Sequence, residues 1–477
     1  MTKYTSTRND LLSLSSKETI LKGLSEDGGL FVPTHIKTIE DISEVKSLSY
    51  KQLAKYIINM YFDDIDVDDC IEKAYNDNFD SEDITPIKKV NDVYFLELFH
   101  GPTSAFKDLA LQFLPHILVK CNDDDKDIVI LSATSGDTGK AALEGFKDID
   151  GTRILVLYPN KMVSLIQERQ MTTTGGNNTN VIAINGNFDD CQRIVKNILE
   201  EDIKGIHLTS ANSINIARLI PQIVYYFKAY LDLLKNKEIE SNEKVDFIVP
   251  TGNFGDILAG YFAKEMGLPI NKLVCASNIN NVLTDFFNTG VYDINRPFYN
   301  TMSPSIDILI SSNLERLLYL KSKNPKLIIE LMNSLNENKR YKISNSLLKS
   351  LNEDFVALYS NEEDNRIIIK EYYDNYHYLI DPHTATAASV AKKYQSPFKK
   401  IILATASPFK FSKDVYKSLT NKEIKDDLNA MDILSEYTKL DIPKNLKELK
   451  YLKPRFIEVL NKEDISLIKS ILEDKNV

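Results

Sequence analysis

The stretch Glu97-Leu-Phe-His-Gly-Pro-Thr-Ser-Ala-Phe-Lys-Asp108 decides how this chain is read. An apolar, strand-like run over residues 93–98 ends in the turn His100-Gly101-Pro102-Thr103, and beyond it an amphipathic segment over 109–119 has helical spacing. Lys107 therefore sits where a strand hands over to a helix. An amine held there, partly desolvated by Phe106 and near the positive end of a helix, can have a lowered pKa and act as a Schiff-base nucleophile. By itself, a lysine in a first helical turn is ordinarily solvated surface charge, so the neighbouring segments have to decide its role.

Outward from that stretch the texture is short β-branched runs alternating with helical ones. Residues 93–98, 128–131, 154–157, 181–184, 245–249, 272–276 and 401–403 read as strands. Helical patterns fall between them at 109–119, 141–146, 191–200, 214–234 and 257–266. Such alternation predicts an α/β fold with mainly parallel sheets buried on both faces. Three regions follow: a mainly helical N-terminal domain over 1–85, a catalytic region over 86–411 with a smaller lobe at roughly 126–205, and a helical tail over 412–477 packed on it. In the first of these, residues 16–23, 39–45 and 50–62 carry the helical spacing, and Gly23-Leu-Ser-Glu-Asp-Gly-Gly-Leu-Phe-Val-Pro33 is a turn-rich link.

Ligands of open α/β sheets gather at the carboxyl ends of strands. Ser132-Ala-Thr-Ser-Gly-Asp-Thr-Gly139 follows one such end, and its small hydroxyl residues and two glycines let N–H and O–H groups converge on an anion. Gly139-Lys140-Ala141 is not a nucleotide phosphate loop, because Ala141 stands where a magnesium-binding Ser or Thr is needed. Pro250-Thr-Gly-Asn-Phe-Gly-Asp256 follows another strand and opens a helix, an arrangement suited to a phosphate monoester, with Asp256 tolerable if it points away. Ala404-Thr-Ala-Ser-Pro-Phe-Lys410 offers the Thr405 hydroxyl at a third strand end. Ser210-Ala-Asn-Ser-Ile-Asn-Ile-Ala-Arg218 leads into a long apolar helix and supplies amide, hydroxyl and guanidinium groups for a second phosphate.

Composition narrows the alternatives. A 477-residue chain with 43% apolar residues builds a sizeable core, and 58 basic against 68 acidic residues gives a net charge of −10 without a basic face for nucleic acid or anionic membrane. Cys70, Cys121, Cys191 and Cys275 lack any metal-ligand or C-x-x-C spacing, which is cytoplasmic usage, and no signal peptide or membrane-length apolar run is present. The acidic runs 63–69 and 123–127 lack the glycine and terminal glutamate of a calcium loop. His100 and His383 are accompanied by neither a Gly-x-Ser-x-Gly elbow nor an H-E-x-x-H pair, so hydrolase and metalloenzyme chemistry is set aside and no metal is expected.

The segments gain their meaning from their order and wording. Leu-Phe-His-Gly-Pro-Thr-x-Ala-Phe-Lys-Asp, Thr-Ser-Gly-Asp-Thr-Gly, Ser-Ala-Asn-Ser-Ile-Asn and Gly-Asn-Phe-Gly-Asp together closely resemble the threonine synthase family, pyridoxal-phosphate enzymes of the tryptophan-synthase-β-like fold type II. The likeness runs from Gly-Gly-Leu-Phe-Val-Pro33 to Pro408-Phe-Lys410. It implies that Lys107 forms the internal aldimine with pyridoxal 5'-phosphate, that Gly252, Asn253, Phe254, Gly255 and Asp256 hold the cofactor phosphate, that Thr405 faces the pyridine nitrogen, and that Asp137 contacts the cofactor hydroxyl. It places Thr103, Ser135 and Thr138 near the substrate carboxylate or amine, and Ser213, Asn215 and Arg218 near its phosphate. The implied reaction is conversion of O-phospho-L-homoserine and water to L-threonine and phosphate by a cytoplasmic monomer or homodimer with small-molecule partners only. A phospho-amino-acid lyase or a serine or threonine dehydratase of the same fold is the nearest rival. A second phosphate site separates a synthase from a plain dehydratase, and an intact Lys107 argues against a silent relative.

Overall fold

The computed structural model describes residues 1–124, 126–134, 136–199 and 205–473. The chain opens on a three-stranded antiparallel sheet of β1 (Tyr4–Ser6), β2 (Asn9–Leu14) and β3 (Phe31–Pro33), in the order β2-β1-β3. The helices Ser16–Lys22 and Tyr50–Tyr61 lie where the spacing places them, each opened by a capping box, Ser15 with Glu18 and Ser49 with Gln52. Residues 39–45 do not form the expected helix; only the 3-10 turn Ile42–Val45 is present. The N-terminal region is thus mixed, because its strands are too short for a period-2 pattern to stand out.

Along the rest of the chain come β4 (Ile87–Val90), β5 (Val93–Glu97), β6 (Asp127–Ala133), β7 (Thr152–Pro159), β8 (Thr179–Asn185), β9 (Ile206–Thr209), β10 (Val245–Pro250), β11 (Ile270–Ser277), β12 (Val291–Asp293), β13 (Arg340–Lys342), β14 (Phe355–Tyr359), β15 (Lys399–Ala404) and β16 (Val459–Asn461). A six-stranded sheet in the order β14-β11-β10-β15-β5-β4 is parallel except for the edge hairpin of β4 and β5. A five-stranded parallel sheet runs β16-β8-β7-β6-β9. Val245 to Pro250 is buried at every position, as a strand covered by helices on both faces must be.

Strand β14 was not among the expected strands, and β16 departs from the reading of the tail as helical. Strand β14 forms one edge of the larger sheet, and β16 comes from the tail to pair with β8. The helix expected over 109–119 divides into Asp108–Leu111 and Leu114–Cys121, with Pro115 at the start of the second. The helix after Lys107 is thus a single turn, and its dipole contributes little to the amine.

The helix Asp137–Phe146 of the smaller lobe crosses Asp108–Leu111 at Gly145, where an added Cβ would sit 2.1 Å from the Leu111 carbonyl oxygen. Gly145→Ala therefore pushes apart the two helices that carry Lys107 and Asp137. We expect a stability loss of about 1–3 kcal/mol, read as a lower urea midpoint, together with reduced activity.

Candidate active site

Lys107 is fixed by backbone stitching to the end of β15. Leu98 N–H donates to Ala404 O at 2.9 Å, Phe106 N–H to Thr405 O at 2.9 Å and Ser407 N–H to Ser104 O at 3.1 Å, around a bridge between Ala105 and Ala406. Strand pairing thus brings together Lys107 and Thr405, nearly 300 positions apart in sequence. The Lys107 side chain is 12% exposed and its Nζ lies 4.7 Å from the Phe106 ring centroid. Burial pushes the amine down to about 8; Asp137 opposes this, while Lys410 and Arg218 reinforce it.

Asp137 begins the helix after the hydroxyl-rich loop and faces Lys107 across the two lobes, with Oδ2 3.9 Å from Nζ. Its Oδ1 accepts from Lys410 Nζ at 2.8 Å and Gln167 Nε2 at 3.1 Å, and its Oδ2 accepts from Ser305 Oγ at 3.1 Å. Burial opposes ionisation, yet Lys410 and then Lys107 outweigh it and hold the carboxyl well below the usual range. Gly136 makes this possible: its φ is 142°, and a Cβ there would lie 2.4 Å from Gln167. Thr134 Oγ1 accepts from the N–H of Gly136 and Gly139, fixing the turn, and Thr138 is half-buried beside it. Ser135 lies outside the described residues.

The Gly252–Asp256 loop shows the features of an anion cradle. Its carbonyls are drawn backwards, Gly252 O to Ser311 Oγ at 2.7 Å and Asn253 O to Asn313 N at 3.1 Å and Nδ2 at 2.9 Å. The helix Gly255–Glu265 begins its bonding with Leu258 N–H to Phe254 O, so the preceding amides have no helical acceptor. Gly252 and Gly255 are half-buried and Asn253 is exposed. Phe254 is held left-handed at φ 62° by burial of its ring against Phe287 and Phe355, at 5.9 and 5.7 Å between centroids. Asp256 does turn away: Oδ1 accepts from Tyr225 at 2.6 Å and Tyr226 at 2.9 Å, and burial raises its carboxyl to about 6. A phosphate monoester fits the cradle, since amides converge on it and no side-chain carboxylate projects into it.

Arg218 is the second cationic group. Its Nη1 donates to Ala211 O at 2.8 Å, while Nε is buried without a hydrogen-bond partner among the described residues. Burial lowers it to about 10. A buried guanidinium bonded only to a carbonyl, with a donor unused, is chemically matched to an incoming oxyanion. Ser213 is half-buried beside it, its Oγ 3.4 Å from Asn313 Nδ2.

Two residues expected near substrate have their polar groups engaged elsewhere. Thr103 gives its hydroxyl and its N–H to Asp108, at 2.7 and 2.8 Å. Asn215 caps the helix Ile216–Lys235 through Ala217 N–H at 3.0 Å and donates to Ile20 O at 3.0 Å, which ties the loop to the N-terminal region. The same region is held by Arg8, paired with Glu315 at 2.8 and 3.0 Å, and by the buried Arg316, which donates to Phe31 O at 2.9 Å and also bonds Asn313 and Ile214 O.

Sequence reasoning missed Lys410, Gln167, Ser305 and His383 as members of this network. His383 Nδ1 donates to Asp381 at 2.7 Å, and its Nε2 accepts from Ser305 N–H at 3.0 Å. Lys410 had one signal, its place five residues beyond Thr405 at the same strand end. Gln167 reads locally as the N3 residue of a capping box with Ser164, a role it also fills.

Comparisons with known proteins agree with this geometry. The family profile "Threonine synthase N terminus" matches residues 3–75, "Pyridoxal-phosphate dependent enzyme" residues 79–404, and "Threonine synthase, C-terminal" residues 384–472. Threonine synthase of Saccharomyces cerevisiae is 37% identical, with 99% of this chain and 98% of that protein covered. Human threonine synthase-like 1 is 40% identical over 89% of this chain, which spans 60% of that protein's length. The crystal structure of pyridoxal-phosphate-bound threonine synthase from Brucella melitensis superposes with a TM-score of 0.89 at 36% identity, covering 99% of both chains. Fold and sequence converge, and the chain belongs to the threonine synthase family of pyridoxal-phosphate-dependent enzymes.

Proposed function

We propose that this chain converts O-phospho-L-homoserine and water to L-threonine and inorganic phosphate, with Lys107 as its catalytic amine. The observation that carries this reading is the presence, beside the largely buried Lys107 amine, of two separate oxyanion seats, the Gly252–Gly255 amides and the Arg218 guanidinium. One seat serves a cofactor phosphate. The other has no use in a plain dehydratase, whose substrate carries no phosphate.

The backbone of Gly252, Asn253, Phe254, Gly255 and Asp256 would hold the phosphate of pyridoxal 5'-phosphate and the Lys107 amine would bind its aldehyde, and the cofactor would then supply an electron sink for breaking bonds at Cα and beyond. Thr405 would offer a neutral hydroxyl to the ring nitrogen, a partner that does not impose a proton there and would favour elimination and replacement over transamination. Asp137 would be the polar neighbour of the ring hydroxyl. Ser135 and Thr138 orient the substrate carboxylate and amine, while Ser213 and Arg218 hold its phosphate; Thr103, bonded to Asp108, and Asn215, bonded to Ile20 and the helix start, shape these two seats from behind. An amine with a pKa of about 8 suits the proton traffic, being basic enough to remove a proton from Cα and then Cβ and acidic enough to return protons near neutrality. In the overall change the Cγ–O bond breaks, phosphate departs with the C–O electron pair, water adds its hydroxyl at Cβ, and protons end on Cα and Cγ. The contact of Asp137 with Lys107 and Ser305 across the lobes supports closure of the smaller lobe to exclude bulk water until replacement.

Partners are small molecules, without nucleic acid. Among the described residues no helix is long and apolar enough to cross a membrane. Four buried free cysteines support a reducing, cytoplasmic setting, and a monomer or homodimer is proposed. Incubation with pyridoxal phosphate and O-phospho-L-homoserine should release phosphate and threonine in equal amounts. Phosphate with a keto acid in place of threonine would make the protein a lyase, and a visible Schiff-base band without turnover would assign it another substrate.

A further inference from the structure

Two lysines share one carboxylate in this site, and they are not equivalent. Lys410 is completely buried, lies 2.8 Å from Asp137 Oδ1 and donates to Thr103 O at 3.0 Å. Lys107 is partly exposed and stands 3.9 Å from Asp137 Oδ2, beyond hydrogen-bonding distance. The remaining donors to Asp137, Gln167 Nε2 and Ser305 Oγ, complete its coordination. The nearer lysine thus forms the hydrogen-bonded ion pair, and the farther one keeps only a longer contact with the same carboxylate.

We propose that Lys410 is a positioning residue for the Lys107 amine: by holding the Asp137 carboxylate to itself, it prevents that carboxylate from capturing Lys107 as an ammonium and so keeps Lys107 Nζ available as a neutral nucleophile.

The groups that face this pair come from every element packed around it. On the side of Lys107 they are Asp108 in its own helix, Arg218 from Ile216–Lys235 and Asp256 from Gly255–Glu265; on the side of Asp137 they include His383 from Pro382–Lys393. Asp108 is engaged by Thr103, Asp256 is turned to two tyrosines through Oδ1 while its Oδ2 is buried without a partner among the described residues, and Arg218 repels a proton on Lys107. Asp137 is therefore the anion able to trap Lys107, and Lys410 is the cation that competes for it. Burial and the Lys410 charge both act against the ammonium form, in agreement with an amine that titrates near 8. Removal of Lys410 deletes one cation and frees one lone-pair region of the carboxylate at the same time. Both changes raise the proton affinity of Lys107.

This inference rests on Lys107 being the reacting amine, and its test avoids turnover so that the two can fail separately. Cyanate carbamylates only neutral amines. The label on the Lys107 peptide of the full-length, cofactor-free protein, measured by mass spectrometry across pH 6.5–10.5, gives the titration midpoint directly. The expected midpoint is about 8 for the unaltered chain. In Lys410→Met it should rise by about one unit or more, in Lys410→Arg it should stay near the original value, and in Lys410→Met/Asp137→Asn it should fall back. A folded Lys410→Met protein with an unchanged midpoint would overturn the proposal. If that variant does not fold, Asp137→Asn decides: its midpoint should drop, because two lysines then face each other without an anion, and no change would equally overturn the proposal.

Discussion

Lys107→Ala should reduce kcat for threonine formation by about 10⁴-fold or more, the scale expected when a covalent amine that also moves protons is lost. The protein should remain folded, because among the described residues the Lys107 side chain makes no direct hydrogen bond that another group depends on; its closest ionic partner, Asp137, keeps Lys410, Gln167 and Ser305. The visible absorbance of the cofactor-bound protein should shift from that of a Schiff base to that of free aldehyde. An unchanged kcat with unchanged absorbance would remove Lys107 from the chemistry and with it the mechanism above.

Arg218→Met should act on substrate affinity. A charge-assisted hydrogen bond to an oxyanion is worth roughly 1.5–3 kcal/mol, so KM for O-phospho-L-homoserine should rise by roughly 10–100-fold, while the dissociation constant for pyridoxal phosphate changes little. The structural cost is small, since the bond lost within the protein is the one to Ala211 O, and Met fills the apolar stem volume. Competition by inorganic phosphate offers an independent reading. It should inhibit the unaltered enzyme against O-phospho-L-homoserine and lose most of its effect on the variant. Equal weakening of cofactor and substrate binding would place Arg218 at the cofactor phosphate.

Much of this site was legible because its chemistry is written in contiguous segments at strand ends. The Gly252–Asp256 loop, the Thr405 segment and the Lys107 segment each announce themselves by turn residues between an apolar run and a helix. What the residues of the Asp137 network share is a point in space, not a stretch of sequence. Ser305 comes from a 3-10 turn, Gln167 from a helix cap and His383 from a helix start, and each has an ordinary local explanation. Asn215 shows the reverse error. A polar residue next to a recognisable loop was read as facing a ligand, whereas its amide caps a helix and bonds Ile20. In the fold, the buried core strands were found, most of them one or two residues longer at their ends in the structure and β5 one residue shorter, while the edge strands β4, β9, β14 and β16 of the two large sheets were missed. Strand β16 is three residues long, and at an edge its neighbours vary too much for a periodic pattern.

That edge strand sets a schedule for biosynthesis. Strand β8 meets its outer neighbour only when Asn185 pairs with Asn461, 276 positions later. At about 5–20 residues per second, translation of that interval takes roughly 15–55 s, during which the nascent smaller lobe carries a bare, parallel, Val- and Ile-rich border. A ribosome that stalls after β15 but before β16, between residues 405 and 458, would leave a chain with its cofactor cradle and Lys107 already synthesised but with one sheet unsealed. Such a product is a candidate for aggregation and chaperone capture, and the tail would serve as a terminal seal on the newly made enzyme.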